Sequence, residues 1–596
     1  MKNSFISLLF ASCLGTLLAL GALILIGVVS ISSLVSKFED KEVSVDANSV
    51  LVLKPGFIPE LTNNVPSNPF ELEQEKVLGL RDMVRALELA ADDDDIKGIY
   101  LQTNGFASAP ASSSTLREAI LRFRESGKFV VSHASYYDQG DYYLASAGDA
   151  VYLNPTGGID ARGFGATLPF FKEALDKAGI DANVFYAGDF KSAGEPFIRN
   201  SISDSNRLQT REYLSDLWDI WLQDVSASRN LEYGELKRLT EKYLIRNDRD
   251  AEQYGLVDGL LYNDQVRDNL RERLGLDEDD DLNTVDIGDY SSKVKSQNLL
   301  SKERIAVLYA EGNIVDGRGD QGSIGGRAYV ETIRELREDD RVKAIVLRVN
   351  SGGGSALASE NVWRELSLAR EQGKAVVTSM GDFAASGGYY IAAATDSIFA
   401  MPNTITGSIG VVAVVPNFSE LMDDRLGINF DTVNTGEYST AFTTVLPWSQ
   451  RDKAVIQEGI QDIYELFVKR VADGRDLPVA KVKQLAKGRV YTGRDAIELG
   501  LVDQLGGIDQ AIEAAARMAD VDLDDARIVE YPKVKDAMQL LVAELTGDED
   551  DGSDITLTER LLERELGTTY QQYRLIRNLA EEARPQTMLL ERPSFQ

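Results

Sequence analysis

Lys97-Gly-Ile-Tyr-Leu-Gln-Thr-Asn104 returns further along the chain as Lys343-Ala-Ile-Val-Leu-Arg-Val-Asn350. Asp141-Tyr-Tyr-Leu-Ala-Ser-Ala-Gly-Asp149 returns as Gly388-Tyr-Tyr-Ile-Ala-Ala-Ala-Thr-Asp396, and Gly255-Leu-Val-Asp258 as Gly500-Leu-Val-Asp503. Three matches in the same order, at offsets between 245 and 247 residues, mark a divergent tandem repeat. In the second copy, Ala344–Val349 is a nearly continuous apolar run, the pattern of a strand covered on both faces. A short strand over Ile305–Leu308 and a helix over Tyr329–Leu336 precede it. A helix over Ala358–Gln372, a strand over Ala375–Thr378 and a small buried helix over Ser386–Thr395 follow. Strands that alternate with helices imply a parallel or mixed α/β sheet in each half.

Working outward, the repeats divide the 596 residues into a first α/β unit over 48–265 and a second over 303–525. Residues 266–302, with Asp277-Glu-Asp-Asp-Asp281, read as a polar linker. Residues 526–596 read as a C-terminal segment with an acidic loop, Gly547–Asp554, and a helix. Residues 1–40 read as a membrane anchor. No side chain from Asn3 to Ser36 is charged, a run of 34 residues, whereas a bilayer core needs only about 20 in a helix. A cleaved signal peptide has a shorter apolar region, of about 7–15 residues, so the segment is expected to be retained. Phe10-Ala-Ser-Cys13 loosely resembles a lipoprotein cleavage site, but the apolar run continues past it. Lys2 and the amino terminus favour a cytoplasmic start, which places the body on the extracytoplasmic side of a single-pass protein.

The formal charge of -32 argues against a nucleic-acid partner, which needs clustered Lys and Arg. One cysteine, Cys13, and one histidine, His133, exclude a disulfide within the chain and zinc sites built from Cys and His. No metal ligand set is expected, and hydrolytic chemistry would run on Ser, Thr, Lys, Asp, Glu or Tyr. His133 reads as a structural residue.

Three features of the repeats bear on chemistry. Asn350-Ser-Gly-Gly-Gly354 follows a buried strand, where adjacent glycines either make a plain turn or aim amide N–H groups at an anion. Ala384-Ala-Ser-Gly-Gly-Tyr-Tyr390 places Ser386 at a helix start, where serine serves either as an N-cap or as a nucleophile beside oxyanion donors. The halves also differ in a reciprocal way. Ser386 falls opposite Gln139, while Lys191 in Gly188-Asp-Phe-Lys-Ser-Ala193 falls opposite Ser439 in Gly436-Glu-Tyr-Ser-Thr-Ala441. Each half carries one reactive side chain that the other lacks, as expected of one composite site between duplicated domains. A lysine acts as a base only when neutral, which burial beside groups such as Phe190, Ala193, Pro196 and Phe197 would favour.

These residues resemble the long, duplicated form of the signal peptide peptidase A (protease IV) family. The resemblance rests on Asp382-Phe-Ala-Ala-Ser-Gly-Gly-Tyr-Tyr390, Thr404-Ile-Thr-Gly-Ser-Ile-Gly410 and Phe190-Lys-Ser-Ala-Gly-Glu-Pro-Phe-Ile-Arg199. It implies two tandem α/β domains of the Clp protease/crotonase type after an N-terminal transmembrane helix. It also implies a serine endopeptidase in which Ser386 is the nucleophile, Lys191 the general base and Ser408 the residue that orients the lysine. Gly387, with Gly353 or Gly354, would supply the oxyanion donors. The implied substrates are apolar peptides, released signal peptides among them, and no cofactor is implied. The implied assembly is a homotetramer held in the bacterial cytoplasmic (inner) membrane, with lipid around the N-terminal helix and the catalytic body outside, on the periplasmic side. The family commonly has proline where this chain has Gly352, which loosens the loop without removing an N–H donor. Two other readings share the fold: a catalytically inactive membrane scaffold and a crotonase-like acyl-CoA enzyme.

Overall fold

The first half is built on a parallel sheet whose strands follow from short β-branched and aromatic runs. Strands β1 (Ser49–Leu53), β2 (Ile96–Leu101), β3 (Phe129–Tyr137) and β4 (Ala150–Ile159) lie in that order. Helices α1 (Leu80–Asp92), α2 (Pro110–Glu125) and α3 (Gln139–Ala145) fall between them. Strand β5 (Asp181–Ala187) leaves this sheet for another, and the long helix α4 (Asp204–Arg229) follows it. Strand β6 (Gly259–Leu260) then closes one edge against β4. After helix α5 (Asn263–Leu274), strand β7 (Thr284–Asp286) closes the other against β1. The computed structural model describes residues 44–64, 76–103, 105, 109–277, 279–294, 301–533 and 586–588. The expected anchor over 1–40 and the acidic loop and helix expected before the C-terminus lie outside them. Among the described residues no helix is long and apolar enough to cross a membrane.

The second half repeats the plan. Strand β8 (Arg304–Glu311) is followed by the short pair β9 (Ile314–Val315) and β10 (Ile324–Gly325), then by helix α6 (Gly326–Glu338). Next come β11 (Val342–Ser351), β12 (Gly353–Ser355), helix α7 (Ala356–Glu371), β13 (Ala375–Ala385) and the short helix α8 (Gly387–Ala392). Strands β14 (Ser397–Ala400), β15 (Ile405–Gly407) and β16 (Val411–Asn417) lead to the long helix α9 (Gln450–Arg475). The described chain ends with β17 (Val490–Thr492), β18 (Gln504–Leu505), helix α10 (Ile508–Met518), β19 (Arg527–Tyr531) and, after a gap, β20 (Gln586–Met588). The main sheet of this half runs β17-β15-β13-β11-β8-β19, with β14 and β18 alongside. Each strand and helix anticipated in this half overlaps one of these elements, but the helix expected over Ser386–Thr395 is shorter, beginning after Ser386 and ending at Ala392, and the one expected to reach Gln372 ends at Glu371.

The apolar runs of β11 and β13 are explained by cover on both faces. Ile345, Leu347 and Val349 pack with α6, α7, α8 and α9 side chains, whereas Ala344 and Val346 pack with Ile508, Ala511, Ile512 and Ala515 of α10. All eleven residues of β13 are buried. Residues 266–302, expected as a polar linker, contain most of α5 and all of β7, whose Val285 is buried against β1. Strand β19 lies likewise past residue 525 and pairs with β8. The charged residues around β7 dominate its composition, and one buried apolar side chain, Val285, is enough to seat it, whereas every residue of β19 stays half-buried.

A third sheet, β10-β9-β12-β20-β16-β5, draws strands from both halves. Its β5–β16 ladder, seven residue pairs long, joins the first half to the second. Two buried polar clusters join them again. Arg348 donates to Glu60 through Nε (2.8 Å) and Nη2 (3.0 Å), and to Ser379 Oγ and the Met380 carbonyl through Nη1. Asp382 accepts from the Ser112 N–H (2.8 Å) and the Ser112 hydroxyl (2.6 Å).

Candidate active site

The β5–β16 ladder brings Lys191 and Ser408 together. Its terminal pair is Ala187 with Val411. Because the strands are antiparallel, the chain leaving β5 and the chain entering β16 share one end of the ladder. Lys191 lies four residues past β5, and Ser408 three residues before β16. A third segment closes over them. Gly488, at φ 78°, approaches so near that an added Cβ would stand 2.6 Å from Lys191 Cβ. Glycine alone combines that dihedral with that clearance at little cost. Phe190 donates its N–H to the Lys487 carbonyl (2.8 Å). Gln209 of α4 donates to the Phe190 carbonyl (3.0 Å) and accepts from the Val490 N–H (3.3 Å), which ties the three segments together.

Ser386 is the pivot between β13 and α8. It occupies the N-cap position, yet its side chain makes no capping hydrogen bond. The backbone there is φ 56° and ψ -118°, a sparsely populated conformation for a residue with a side chain. Such strain costs on the order of 1–3 kcal/mol and persists only where the surroundings enforce it. Here they do. The Ser386 N–H donates to the Gly407 carbonyl (2.9 Å), and its carbonyl accepts from the Tyr390 N–H (2.9 Å). The pivot turns the hydroxyl away from its helix and toward the lysine.

Lys191 Nζ lies 2.7 Å from Ser386 Oγ, 2.9 Å from Ser408 Oγ and 3.1 Å from the Ser408 carbonyl. The three side chains are all buried. Burial lowers the lysine from 10.5 to about 7, with no carboxylate to oppose it. A neutral amine has two N–H bonds and one lone pair. The carbonyl and the Ser408 hydroxyl accept the two N–H bonds, and the lone pair faces the Ser386 O–H. After protonation the same three oxygens accept three N–H bonds, so the cradle holds both forms of the base. Proton exchange between Ser386 and Lys191 therefore requires no rearrangement of partners.

Gly387 opens α8, where the first helical N–H groups have no intrahelical acceptor. Gly353 departs from expectation. Its N–H donates to Ser351 Oγ (3.1 Å), so a substrate oxyanion would share or displace that hydroxyl. Gly354 pairs with Ile314 of β9, and an added Cβ there would stand 1.9 Å from the Ile314 carbonyl oxygen. A cavity of about 120 Å³ adjoins Lys191 and Ser408, walled by Leu168, Phe170, Phe190, Pro196, Tyr213 and Phe383. His133 stands apart from this group, its Nε2 3.1 Å from the Leu261 carbonyl.

Three supporting residues were not anticipated from sequence. Gln209 holds the lysine segment, Asp382 binds the other half four residues before Ser386, and Arg348 bonds β13 at Ser379 and Met380 and ties it to Glu60 of the first half. The available signal for two of them was a charged residue inside an otherwise apolar strand, since such groups are almost never buried unpaired. Gln209, on a polar helix, gave no such signal.

The family model described as Peptidase family S49 matches residues 122–277 and, a second time, residues 368–522. The spacing of the two matches is that of the internal repeat. The chain is 34% identical over 455 residues to Protease 4 of Haemophilus influenzae, covering 75% of this chain and 74% of that one. It is 37% identical over 450 residues to Protease 4 of Salmonella typhi, covering 74% and 72%. It is also 34% identical over 444 residues to the chloroplastic serine protease SPPA of Arabidopsis thaliana, covering 73% and 65%.

Proposed function

The chain belongs to peptidase family S49, and from that premise we propose that it is a membrane-anchored serine endopeptidase working through a Ser386–Lys191 dyad. The observation that carries this reading is a buried lysine brought to about 7 and held 2.7 Å from the hydroxyl of a strained serine. A structural lysine would be expected to keep a carboxylate partner or reach water, and a capping serine would bond its own helix.

In the mechanism, neutral Lys191 takes the proton of Ser386 as Oγ attacks a peptide carbonyl. The developing oxyanion rests on the Gly387 N–H and on a donor from the Gly353–Gly354 turn. Ser408 keeps the lysine aimed at Oγ. Lys191 then protonates the departing amine, and a water activated by the same lysine hydrolyses the acyl-enzyme. The substrate lies extended between β12 and β16, and the neighbouring cavity, walled by aromatic and aliphatic side chains, suits an apolar residue. Released signal peptides have that character. An anchor within residues 1–40, a catalytic body on the extracytoplasmic side of the bacterial inner membrane and a homotetrameric assembly complete the proposal.

The test is hydrolysis of a fluorogenic apolar peptide by the full-length protein beside Ser386→Ala. Activity in the first and none in the second supports the dyad. Equal activity in both would mean that another serine is the nucleophile, and no activity in either would favour the scaffold reading.

A further inference from the structure

A second cavity adjoins the one beside Lys191 and Ser408. It is an open cleft of about 520 Å³, and Leu168, Phe170 and Thr210 wall both spaces. A peptide whose apolar side chain fills the inner cavity therefore has neighbouring residues at the mouth of the outer one. The two differ in charge. Lys191 is the only charged residue on the inner wall, whereas the outer wall carries Arg162, Arg207, Arg211 and Glu241. Three positive groups against one negative reverse the balance of the chain as a whole, whose formal charge is -32.

Two of these four groups already have partners. Arg162 Nε lies 2.8 Å from Asp160 Oδ1, and Glu241 pairs with Lys237. Arg207 and Arg211 differ. Both are exposed, and among the described residues neither guanidinium meets a carboxylate or any other acceptor. Arg229, at the far end of the same helix, is by contrast paired with Asp258. Spaced four residues apart on α4, Arg207 and Arg211 are neighbours on one face, and Thr210, which both cavities share, belongs to the turn between them. Helix α4 is a firm support for them. Beyond the Gln209 bonds, its Asp216 accepts from the Thr492 hydroxyl (2.9 Å) and its Asp219 pairs with Arg494 (2.8 Å). A guanidinium presents its donors as a planar fork that matches a carboxylate. Two such forks, side by side and unpaired, fit an anion that the protein itself does not supply.

We propose that this cleft is a subsite for a carboxylate of the peptide substrate, held by Arg207 and Arg211, which directs cleavage to peptides bearing one a few residues from the cut bond. This rests on the Ser386–Lys191 reading above. The carboxylate is either the free C-terminus of a short peptide or an Asp or Glu side chain, since both present the same pair of oxygens. The acidic remainder of the surface repels carboxylates elsewhere on the peptide, so the preference is confined to one position.

The test is kcat/KM of the full-length protein on an acetylated, amide-capped, uncharged apolar peptide and on two sets of its derivatives, with products identified by mass. One set carries a single glutamate at successive positions on either side of the cut bond. The other ends in a free carboxylate at successive positions past it. The expected result is one position at which the carboxylate raises kcat/KM about fivefold over the uncharged peptide. Arg207→Gln combined with Arg211→Gln should bring that ratio to about one, and Arg207→Glu combined with Arg211→Glu should move the preference to a lysine at the same position. The ratio is taken within each variant, so a general loss of activity cancels. A preferred position in the glutamate set assigns the carboxylate to a side chain, and one in the free-acid set to a peptide terminus; either supports the subsite. Cleavage of the uncharged peptide with no position preferred, or a preference that survives in the Gln variant, would overturn this proposal and leave the dyad standing. Failure to cleave any of the peptides would remove the dyad reading and this proposal together.

Discussion

In the first half the Tyr142 hydroxyl donates to the Leu256 carbonyl (2.6 Å); in the second, Tyr389 donates to Leu501 (2.8 Å). Arg229 pairs with Asp258 as Arg475 pairs with Asp503. Lys128 bonds the carbonyls of Ala90 and Asp93 as Lys374 bonds those of Asp339 and Val342. Helices α4 and α9 each run for 26 residues. The halves part company at the strand-to-helix pivot. In the first, Asp138 is an ordinary extended N-cap whose side chain accepts from the Asp141 N–H. The Gln139 side chain accepts from the N–H groups of Arg162 (3.2 Å) and Gly163 (2.9 Å). In the second, Ser386 is strained and leaves its helix uncapped. The lysine loop differs in the same sense: Lys191 is buried, while its counterpart Ser439 is exposed and its hydroxyl accepts from the nearby Gly436 N–H (2.9 Å). Duplication thus let one pivot and one loop satisfy their own backbones while their twins kept a strained serine and a buried lysine.

The sharpest way to break this division is to exchange the burden of proof between twins. Lys191→Met should lower turnover of an apolar peptide by at least ~10³-fold, as for a member of one catalytic unit. Ser439→Ala, at the twin position, should leave it within about twofold, since exposed substitutions of this kind rarely matter. Comparable losses in the two steady-state assays would end the argument that only one loop is functional.

The same substitution should raise stability. An unfolded chain holds the lysine near 10.5, whereas the folded chain holds it at about 7. Between those values the unfolded state binds more protons, so stability of the unaltered protein rises with pH across that window. Below pH 7 the full penalty applies, roughly 5 kcal/mol at ~1.4 kcal/mol per pH unit, less what the lost hydrogen bonds return. Denaturant unfolding should therefore show Lys191→Met more stable by a few kcal/mol at pH 7, with the gain fading toward pH 10.5. A Met variant that is less stable at pH 7 would mean that the lysine is not held neutral.

At the first pivot the sign reverses. Gln139→Ala removes the acceptor of two N–H groups, and leaving such groups unsatisfied costs about 1–3 kcal/mol. Stability should fall by about 2 kcal/mol in the same unfolding assay while peptide turnover stays within about twofold. A drop in turnover beyond tenfold would show the pivots to be coupled, with α2, whose Ser112 binds Asp382, as the connecting element.

How much of this was legible in the sequence follows from what is local. The repeat, the buried strands and the reciprocal Ser386 and Lys191 were legible because duplication supplies its own alignment and a two-faced strand has its own composition. The β5–β16 ladder was not, because a pairing between residues more than 200 positions apart has no local signature. Without that ladder only the family resemblance puts Lys191 beside Ser408. The Ser386 dihedral was equally hidden, since serine before a helix fits an ordinary cap as well as a strained elbow. Strand β7 was masked by the acids of 277–281, which outweigh one inward Val285.

The smallest effect is also the most discriminating for the base. Lys128 and Lys374, duplicates of one another, are likewise lowered by burial, but each also faces aspartates that oppose the fall: Asp93 and Asp94 in one case, Asp339 and Asp340 in the other. Lys191 has burial alone. The free enzyme should therefore show one acid limb in kcat/KM, set by a group near 7, with a plateau above it. Protonation removes the lone pair that takes the Ser386 proton, so each pH unit below the midpoint should cost about tenfold, or ~1.4 kcal/mol. An uncharged peptide substrate keeps the limb free of substrate ionisation. A limb that instead centred near 4 would assign the titration to a carboxylate and remove Lys191 as the base.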